Sequence, residues 1–341
     1  MAETGLFQNL DSLPRLNQSH QWADYIELLA ISSEDQRFSK GELQAAAAEI
    51  EDVAVDQEDI DYDQDQENPA ITLADEDIQK QEKINRRWAE VRASLNSRQQ
   101  RLGDAWPFNF TDDVLTVNIN QDAALHRLYI ALLLASALRY IVKARHGDIT
   151  ASLEEIAYQL FCRLMPDSTQ NAQSAWIVKP FGAHQNLANG YQGKLFNKLQ
   201  QLAKDLNGKL IAQESDFDPR DTGDAGLDVV AWHPLGDALG NMPVAFAQCG
   251  CSLTDLRHKQ YEASPVNWAN KLSIQHPQAN YYFAPHDLRK NNGGWDEQLG
   301  QVIMLDRSRI LHLAKMYQLP AHRLNWSHVH EAIQTRRAYL S

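Results

Sequence analysis

Two short runs of β-branched and aromatic residues limit most strongly what this chain can fold into. They read LDVVAW over 227–232 and VAFAQC over 244–249, and the segment between them, HPLGDALGNMP, is rich in turn residues. Apolar runs of this length, bounded by Gly, Pro and Asn, are typical of strands. We therefore expect a hairpin here, which requires a sheet in the C-terminal half of the chain.

Each of these strands carries a polar residue where a buried strand would ordinarily have Val or Ile. If the hairpin pairs Trp232 with Val244, Asp228 faces Gln248, with Cβ atoms ~4.5–5.5 Å apart on one side of the sheet. Two explanations are open at this point. The pair is either ordinary strand-end polarity or a site at which two oxygen-bearing side chains converge on a cation.

The pattern along the whole chain predicts an α+β protein with two parts. Residues 1–180 are expected to form a mostly helical module, with helices over 78–101, 121–145 and 150–165. Residues 181–341 are expected to carry the sheet. The predicted order there is a helix, three strands, a helix and a strand, at 190–208, 209–215, 227–232, 244–249, 254–272 and 280–285, before a strand that passes into a helix over 300–317.

The chain has a formal net charge of −13, and one segment accounts for all of it. Residues 49–77 contain thirteen Asp and Glu and no Lys or Arg, so the rest of the chain is formally neutral. Such a run is predicted to be a solvated, flexible linker. A sharper alternative is that it mimics DNA and covers a basic groove. The net charge alone therefore does not exclude a protein that binds nucleic acid.

The sequence also argues against membrane and secreted classes. The longest apolar run, 128–138, lies between Arg127 and Arg139 and is shorter than the ~18–20 residues of a membrane span. The N-terminus lacks a basic start followed by an apolar stretch, so no signal peptide is expected. Three cysteines, a small and odd number, favour a reducing cytoplasm over a disulfide framework.

An Asp that opens one strand, followed twenty residues later by Gln on the next, resembles the PD-(D/E)XK nuclease superfamily. GDAGLD at 223–228 and FAQCG at 246–250 carry the resemblance, which lies with the Mrr-like, restriction-endonuclease-like branch and covers 190–290. It implies a restriction-endonuclease-like αβββαβ core. It also implies that Asp228 and Gln248 are catalytic and bind Mg²⁺, for which Mn²⁺ would substitute.

Two positions of the family pattern are filled differently in this chain. The lysine that helps to position the attacking water would fall at Gly250. The resemblance then implies that a lysine of the following helix replaces it, with Lys259 as the first candidate and Lys271 as the second. The acid that some members carry on their first helix would fall near Asn197, where there is none. Asp224 is a candidate for an additional charge at the metal.

The resemblance implies an Mg²⁺-dependent endonuclease that hydrolyses DNA phosphodiester bonds in restriction or anti-phage defence. The metal would polarise the phosphoryl oxygen and lower the pKa of a bound water, and the lysine would stabilise charge on the phosphate. A flank of DNA-binding residues is predicted at Arg257, Lys271, Arg289 and Lys290. A regulatory or helicase/ATPase partner protein and a homo-oligomer are further expectations.

The alternative from a different class is a nuclease-derived subunit that binds DNA, or serves as a scaffold in a defence complex, without catalysis. Gly250 in the lysine position and the missing helix acid favour this alternative. Both interpretations place the protein in the cytoplasm and away from membranes.

Other motifs fit less well. DFDPRDTGDAGLD at 216–228 holds five aspartates, but Arg220 and Asp221 stand where an EF-hand loop needs an acid or amide and a Gly. Cys249 and Cys251 lack a second cysteine pair for a zinc site. A nucleophilic pair of either cysteine with a histidine stays open, although nothing local in the sequence supports it.

Overall fold

The computed structural model describes residues 5–14, 18–49, 73–166, 176–182 and 190–336. The described helices are α1 (Ser19–Ser32), α2 (Lys40–Glu49), α3 (Leu73–Leu102), α4 (Ala124–Ser136), α5 (His146–Leu164), α6 (Leu195–Asp205), α7 (Leu256–Lys259), α8 (Pro265–Trp268), α9 (Arg307–Met316) and α10 (Ser327–Gln334). The described strands are β1 (Arg37–Ser39), β2 (Phe108–Thr111), β3 (Val114–Val117), β4 (Ile177–Pro180), β5 (Lys209–Leu210), β6 (Val229–Trp232), β7 (Val244–Cys249), β8 (Leu272–Ser273), β9 (Ala279–Phe283) and β10 (Ile303–Leu305). The predicted α+β class is confirmed. None of the helices in these ranges combines the length and the apolar character that crossing a bilayer requires.

A five-stranded mixed sheet has the order β10-β9-β7-β6-β4. β6 is antiparallel to both of its neighbours, β4 and β7, whereas β7, β9 and β10 run parallel to one another. The predicted β6–β7 hairpin is confirmed, and it pairs Trp232 with Val244, which is the register assumed above. Asp228 directly precedes β6 and Gln248 lies near the end of β7, which places both at the same end of this ladder.

Alternate side chains of the sheet enter two hydrophobic cores, because successive residues of a strand face opposite sides. On one side, Val229 and Ala245 pack with α5 and the N-terminal helices. On the other side, Val230 and Phe246 pack with the leucines of α6 and with Trp268 of α8. Helices therefore cover both faces of the sheet, which explains why its inner strands are almost entirely apolar.

The N-terminal residues form a helical module around α1. This helix contacts α3, α4 and α10 and also a small antiparallel sheet in the order β1-β3-β2. The core of the module is continuous with one face of the large sheet, since Ile26 of α1 and Val229 of β6 belong to one buried cluster. The boundary predicted at 180/181 falls at the end of β4, which pairs with β6 across it.

A buried network of charged side chains joins the module to the ends of β9 and β10. Its members are Asp24 and Glu27 of α1, Arg98 and Arg101 of α3, Asp287 after β9, and Arg307 at the start of α9. Arg98 Nη2 lies 2.7 Å from Asp24 Oδ1, and both terminal nitrogens of Arg307 donate to Asp24 at 2.8 Å. Burial raises the pKa of Asp24, but Arg307 and Arg98 outweigh it and hold this pKa below its usual range.

Three predicted elements differ from the structure, and one strand, β4, is missing from the prediction. The helix predicted over 121–145 is shorter, since α4 ends at Ser136. The strand predicted over 209–215 is wrong, because only β5 forms there and it pairs with β8 in a separate two-stranded sheet. The helix predicted over 254–272 is replaced by α7 and α8, since the Ser264 side chain caps a new helix that begins at Pro265. β4 has no counterpart among the predicted strands. Consequently α5, and not the helix predicted over 190–208, precedes the first strand of the large sheet.

The acidic segment of 49–77 lies largely outside the described residues, apart from Glu49 at the end of α2 and the first residues of α3. The linker and DNA-mimic interpretations of this segment therefore stay predictions.

We expect Arg307→Met to destabilise the protein by about 3–5 kcal/mol, because it leaves a buried acid without its counter-charge. The double variant Asp24→Leu/Arg307→Met should recover a large part of this loss, since it removes both charges. Urea denaturation measures the free energy of unfolding of both. As a control, Arg220→Met removes an exposed ion pair with Asp218 and should leave the free energy of unfolding close to that of the wild type. Wild-type stability of Arg307→Met would contradict this account of the network.

Candidate functional site

Asp228 is held in place from both sides at the start of β6. Its backbone N–H donates to the Ala247 carbonyl at 2.9 Å, and its own carbonyl accepts from the N–H groups of Phe181 and Gly182 at 2.7 and 3.1 Å. Its side-chain Oδ2 accepts a hydrogen bond from the Cys249 N–H at 2.7 Å. The residue is only 7% exposed. This carboxylate is therefore both buried and fixed in orientation.

Glu154 of α5 brings a second carboxylate to Asp228. Gly182 lies between the two: a Cβ atom on residue 182 would be 2.8 Å from Glu154 Oε2 and 2.9 Å from Asp228 Oδ1. The two oxygens cannot be further apart than the sum of these distances. A larger residue at 182 would clash with both acids. Gly182 therefore leaves space between the carboxylate of Glu154 on α5 and that of Asp228 at the start of β6.

Gln248 of β7 adds an amide at the same end of the ladder. Its Nε2 donates to Oε2 of Glu262, which lies between α7 and α8. Its Oε1 is buried and has no hydrogen-bond partner among the described residues. Leaving a buried polar atom unpaired costs ~1–3 kcal/mol. A cation or a donor from a ligand would satisfy this oxygen.

Burial raises the pKa of Asp228 to about 7, and the charges of Asp224 and Glu262 contribute to the shift. The hydrogen bonds from Cys249 act in the opposite direction. Carboxylates that converge in a buried place disfavour one another's ionised form, and a divalent cation among them reverses that preference. The electrostatics of the cluster therefore favour a bound cation.

Lys198 of α6 supplies a positive charge beside these acids. Its Nζ donates to the carbonyl oxygens of Gly223 at 2.8 Å and Phe181 at 3.3 Å, so it joins the turn before Asp228 to the segment that follows β4. Burial lowers the pKa of Lys198, while the charges of the surrounding acids, among them Asp228 and Glu154, raise it. An ammonium group has three donors, so one N–H is left beyond these two carbonyl bonds.

Tyr282 of β9 fills the place that a side chain at position 250 would need. A Cβ atom on Gly250 would overlap the Tyr282 hydroxyl, and Tyr282 is the ladder partner of Gln248. The hydroxyl is buried and has no hydrogen-bond partner among the residues that the structure describes. Burial raises the pKa of Tyr282 far above its usual value, so this group is a neutral phenol. A lysine at position 250 has no room in this chain.

The two cysteines beside Gln248 are not activated as nucleophiles. Burial raises the pKa of Cys249 and raises that of Cys251 to about 12. A nucleophilic cysteine needs a lowered pKa or an adjacent base. His286, which reaches this segment, bonds the backbone carbonyl of Cys251 and not its thiol. The alternative of a Cys–His pair therefore gains no support here.

An open pocket of about 570 Å³ adjoins the acids. Ala225, on the turn before Asp228, forms one part of its wall, and Glu262, Asn270 and Lys271 form another. Glu154, Asp228 and Gln248 are not among the residues that line the pocket, which meets the cluster through Glu262, the residue that bonds Gln248. This volume is large enough for part of a small ligand.

Three further predicted residues lie around this cluster. Asp224 accepts a bond from the Gly226 N–H at 2.8 Å, and its charge helps to raise the pKa of Asp228. Lys271 lines the pocket, where its Nζ donates to the Asn267 carbonyl at 2.9 Å. Lys259 is half-buried on α7, and its charge reaches Cys251.

The predicted DNA-binding residues outside the pocket differ in their surroundings. Arg257 and Lys290 are exposed. Arg289 instead forms a 2.7 Å ion pair with the buried Asp306 and lies 3.7 Å from the ring centre of Trp295. Arg289 is thus engaged within the fold, whereas the first two side chains are accessible to a ligand.

The cluster offers a cation two carboxylates and one amide, from Glu154, Asp228 and Gln248. Within the described ranges, no group of three or more His, Cys, Asp or Glu is placed to hold a metal, and this set contains only two acids. Mg²⁺ is usually bound by one or two carboxylates together with waters and phosphate oxygens. The unpaired Gln248 oxygen and the two close acids therefore fit such an ion.

Four residues of this cluster were not found from the sequence: Glu154, Lys198, Glu262 and Tyr282. Glu154 has a usable signal, since it lies on the helix before β4, but β4 itself must be recognised first. Lys198 is a lysine on the apolar face of an amphipathic helix, next to Leu199, which is a second usable signal. Glu262 and Tyr282 meet the site only through tertiary packing.

No protein-family model matches the sequence, and no curated protein or solved structure matches the chain. The chemistry of this cluster is therefore inferred from its own geometry.

We expect Asp228→Asn to stabilise the metal-free protein at pH 8 by about 1–4 kcal/mol. Since the pKa of Asp228 rises from 3.8 to about 7 on folding, the folded state binds the proton more tightly, and the wild type loses stability as the pH rises through this window. Asparagine does not titrate, so the difference should shrink toward pH 5. Urea denaturation in EDTA at both pH values measures it. The exposed Asp218→Asn is the control, and an unstabilised Asp228→Asn at pH 8 would contradict the argument.

Proposed function

We propose that the protein is an Mg²⁺-dependent endonuclease that hydrolyses phosphodiester bonds of DNA. The observation that carries the proposal is the convergence of Glu154, Asp228 and Gln248 from three elements, with the charge of Lys198 beside them. Phosphodiester hydrolysis needs a divalent cation and positive charge near the phosphate. The cluster provides ligands for a divalent cation, and Lys198 provides positive charge near the phosphate.

The order of elements supports the proposal. The succession α5, β4, β6, β7, then α7 and α8, then β9 is a helix, three strands, a helical segment and a strand, which is the αβββαβ order of PD-(D/E)XK nucleases. In this succession Asp228 opens the second strand and Gln248 lies on the third. Under this assignment α6 and β5 are an insertion between the first two strands.

Glu154, Asp228 and the oxygen of Gln248 would hold the metal ion. When bound, the ion supplies a Lewis acid and lowers the pKa of a coordinated water. Asp228 contributes a carboxylate whose direction is fixed by the Cys249 N–H. Gln248 contributes a neutral oxygen. A phosphate oxygen of the substrate would therefore supply the remaining negative charge around the ion.

Lys198 is the lysine that we assign to the reacting phosphate, in place of one at position 250. Its charge interacts with both acids, and we assign its third N–H to an oxygen of the phosphate or of the attacking water. Lys259 is the other candidate, because its half-buried ammonium has no ion-pair partner among the described residues. We assign Lys271, which lies in the wall of the pocket, to a neighbouring phosphate.

The second candidate function is a nuclease-derived subunit that binds DNA without cutting it. Tyr282 in the place of a lysine favours this candidate. Glu154 and Lys198 weigh against it, since they supply the acid and the lysine that the sequence pattern leaves out. A role in restriction or anti-phage defence belongs to either candidate through the family resemblance.

We expect the purified protein to nick plasmid DNA in Mg²⁺ or Mn²⁺ and to leave it intact in EDTA. Asp228→Asn and Glu154→Gln should each slow nicking by about 100-fold or more, which is the scale of losing one preorganised electrostatic group. Lys198→Gln should do the same, whereas Lys259→Gln should not if Lys198 meets the phosphate. Agarose-gel time courses measure the rates.

The exposed Asp218→Asn is the control for these variants, and thermal unfolding checks that each of them folds. Binding of plasmid without nicking in either metal would support the second candidate. Nicking that survives Asp228→Asn would contradict the proposed site.

A further inference from the structure

Glu262 is not one of the three proposed metal ligands, but its carboxylate contacts one of them, Gln248. We propose that Glu262 is a positioning residue: it holds the Gln248 amide so that the oxygen, and not the nitrogen, faces the candidate metal site. This inference rests on the proposed function, because it describes how one ligand of the proposed metal is oriented.

The chemistry of the amide makes such a residue necessary. A glutamine side chain ends in an oxygen that accepts and an NH₂ group that only donates, and the two ends have nearly the same size. Only the oxygen can bind a cation. An acid at this position would offer an oxygen at either end, so the question of orientation arises for Gln248 and not for Glu154 or Asp228.

The contact between the two side chains selects one orientation. Oε2 of Glu262 accepts from Nε2 of Gln248, so the nitrogen end of the amide is turned toward Glu262 and the oxygen end away from it. Gln248 is 5% exposed, and its Oε1 has no partner among the described residues. The charge of Glu262 also reaches Asp228. The unpaired oxygen is thus left for a ligand beside that acid.

The turn before Asp228 makes room for this contact. A Cβ atom on Gly226 would lie 2.5 Å from the Cβ of Glu262, so any side chain there would displace the acid. Gly226 also has a φ of +76°, in the left-handed region that favours glycine. The same turn therefore leads into Asp228 and leaves the space for Glu262, which orients Gln248.

The test is Mn²⁺ binding to the full chain without DNA, measured by electron paramagnetic resonance. Glu262→Gln should weaken binding about 10–100-fold, because the amide that it introduces can donate to the Gln248 oxygen and turn the nitrogen toward the metal. The same substitution in a Gln248→Glu background should cost no affinity, since a carboxylate at position 248 offers oxygen at both ends. The double variant should therefore bind Mn²⁺ at least as tightly as the wild type.

A matched control is Glu297→Gln, which disturbs another carboxylate that accepts from a glutamine amide, the 2.7 Å contact with Gln18. It should leave Mn²⁺ binding unchanged. In nicking assays, Glu262→Gln should raise the Mn²⁺ concentration for half-maximal rate and leave the rate at saturating Mn²⁺ unchanged. A purely structural role for Glu262 would not produce this separation.

An equal loss of affinity in the wild-type and Gln248→Glu backgrounds would overturn the inference, because it would make Glu262 a ligand or a structural residue. Unchanged binding in Glu262→Gln would overturn it as well. Since the binding assay contains no DNA, a wild type that binds Mn²⁺ and fails to nick plasmid would count against the proposed function and leave this inference standing.

Discussion

The buried ion-pair network between α1, α3 and α9 holds the rest of the structure together. Asp24 and Glu27 are buried on a helix of the module, and their counter-charges come from Arg98 of α3 and Arg307 at the end of the sheet. Desolvated charges are tolerated only while they stay paired. Separating the module from the sheet would break the pair between Asp24 and Arg307 and, in the same step, the pairs of Asp287 with Arg98 and Arg101.

That coupling matters for the candidate site because the site draws on both parts. α5 packs into the core that the module and the sheet share, and it carries Glu154. Asp228 and Gln248 belong to the sheet. Anything that shifts the module relative to the sheet therefore changes the gap between two carboxylates.

The hairpin could be predicted from the sequence because β6 and β7 are apolar strands with clear turn residues between them, whereas its register is an assumption, since a loop of this length does not fix it. Asp228 and Gln248 follow from that register. β4 could not be predicted from the sequence, because Ile177–Pro180 is a four-residue edge strand that contains Lys179 and ends in proline. Because β4 is not predicted, the helix over 190–208, and not α5, is taken as the helix before the first strand of the sheet. Glu154 of α5 is therefore not identified as a site residue. The local sequence determines which residues form a strand and a hairpin. Contacts between elements that are distant in sequence depend on tertiary packing, which the local sequence does not determine.

Tyr282 and Gly250 limit how this chain can change over evolutionary time. A larger residue at 250 meets the hydroxyl of Tyr282, and a smaller residue at 282 alone opens a cavity in the cluster it forms with Leu256 and Met304. Each substitution is costly without the other. A lysine at 250 would therefore require a smaller side chain at 282 in the same chain, so in this fold the two positions can change only together.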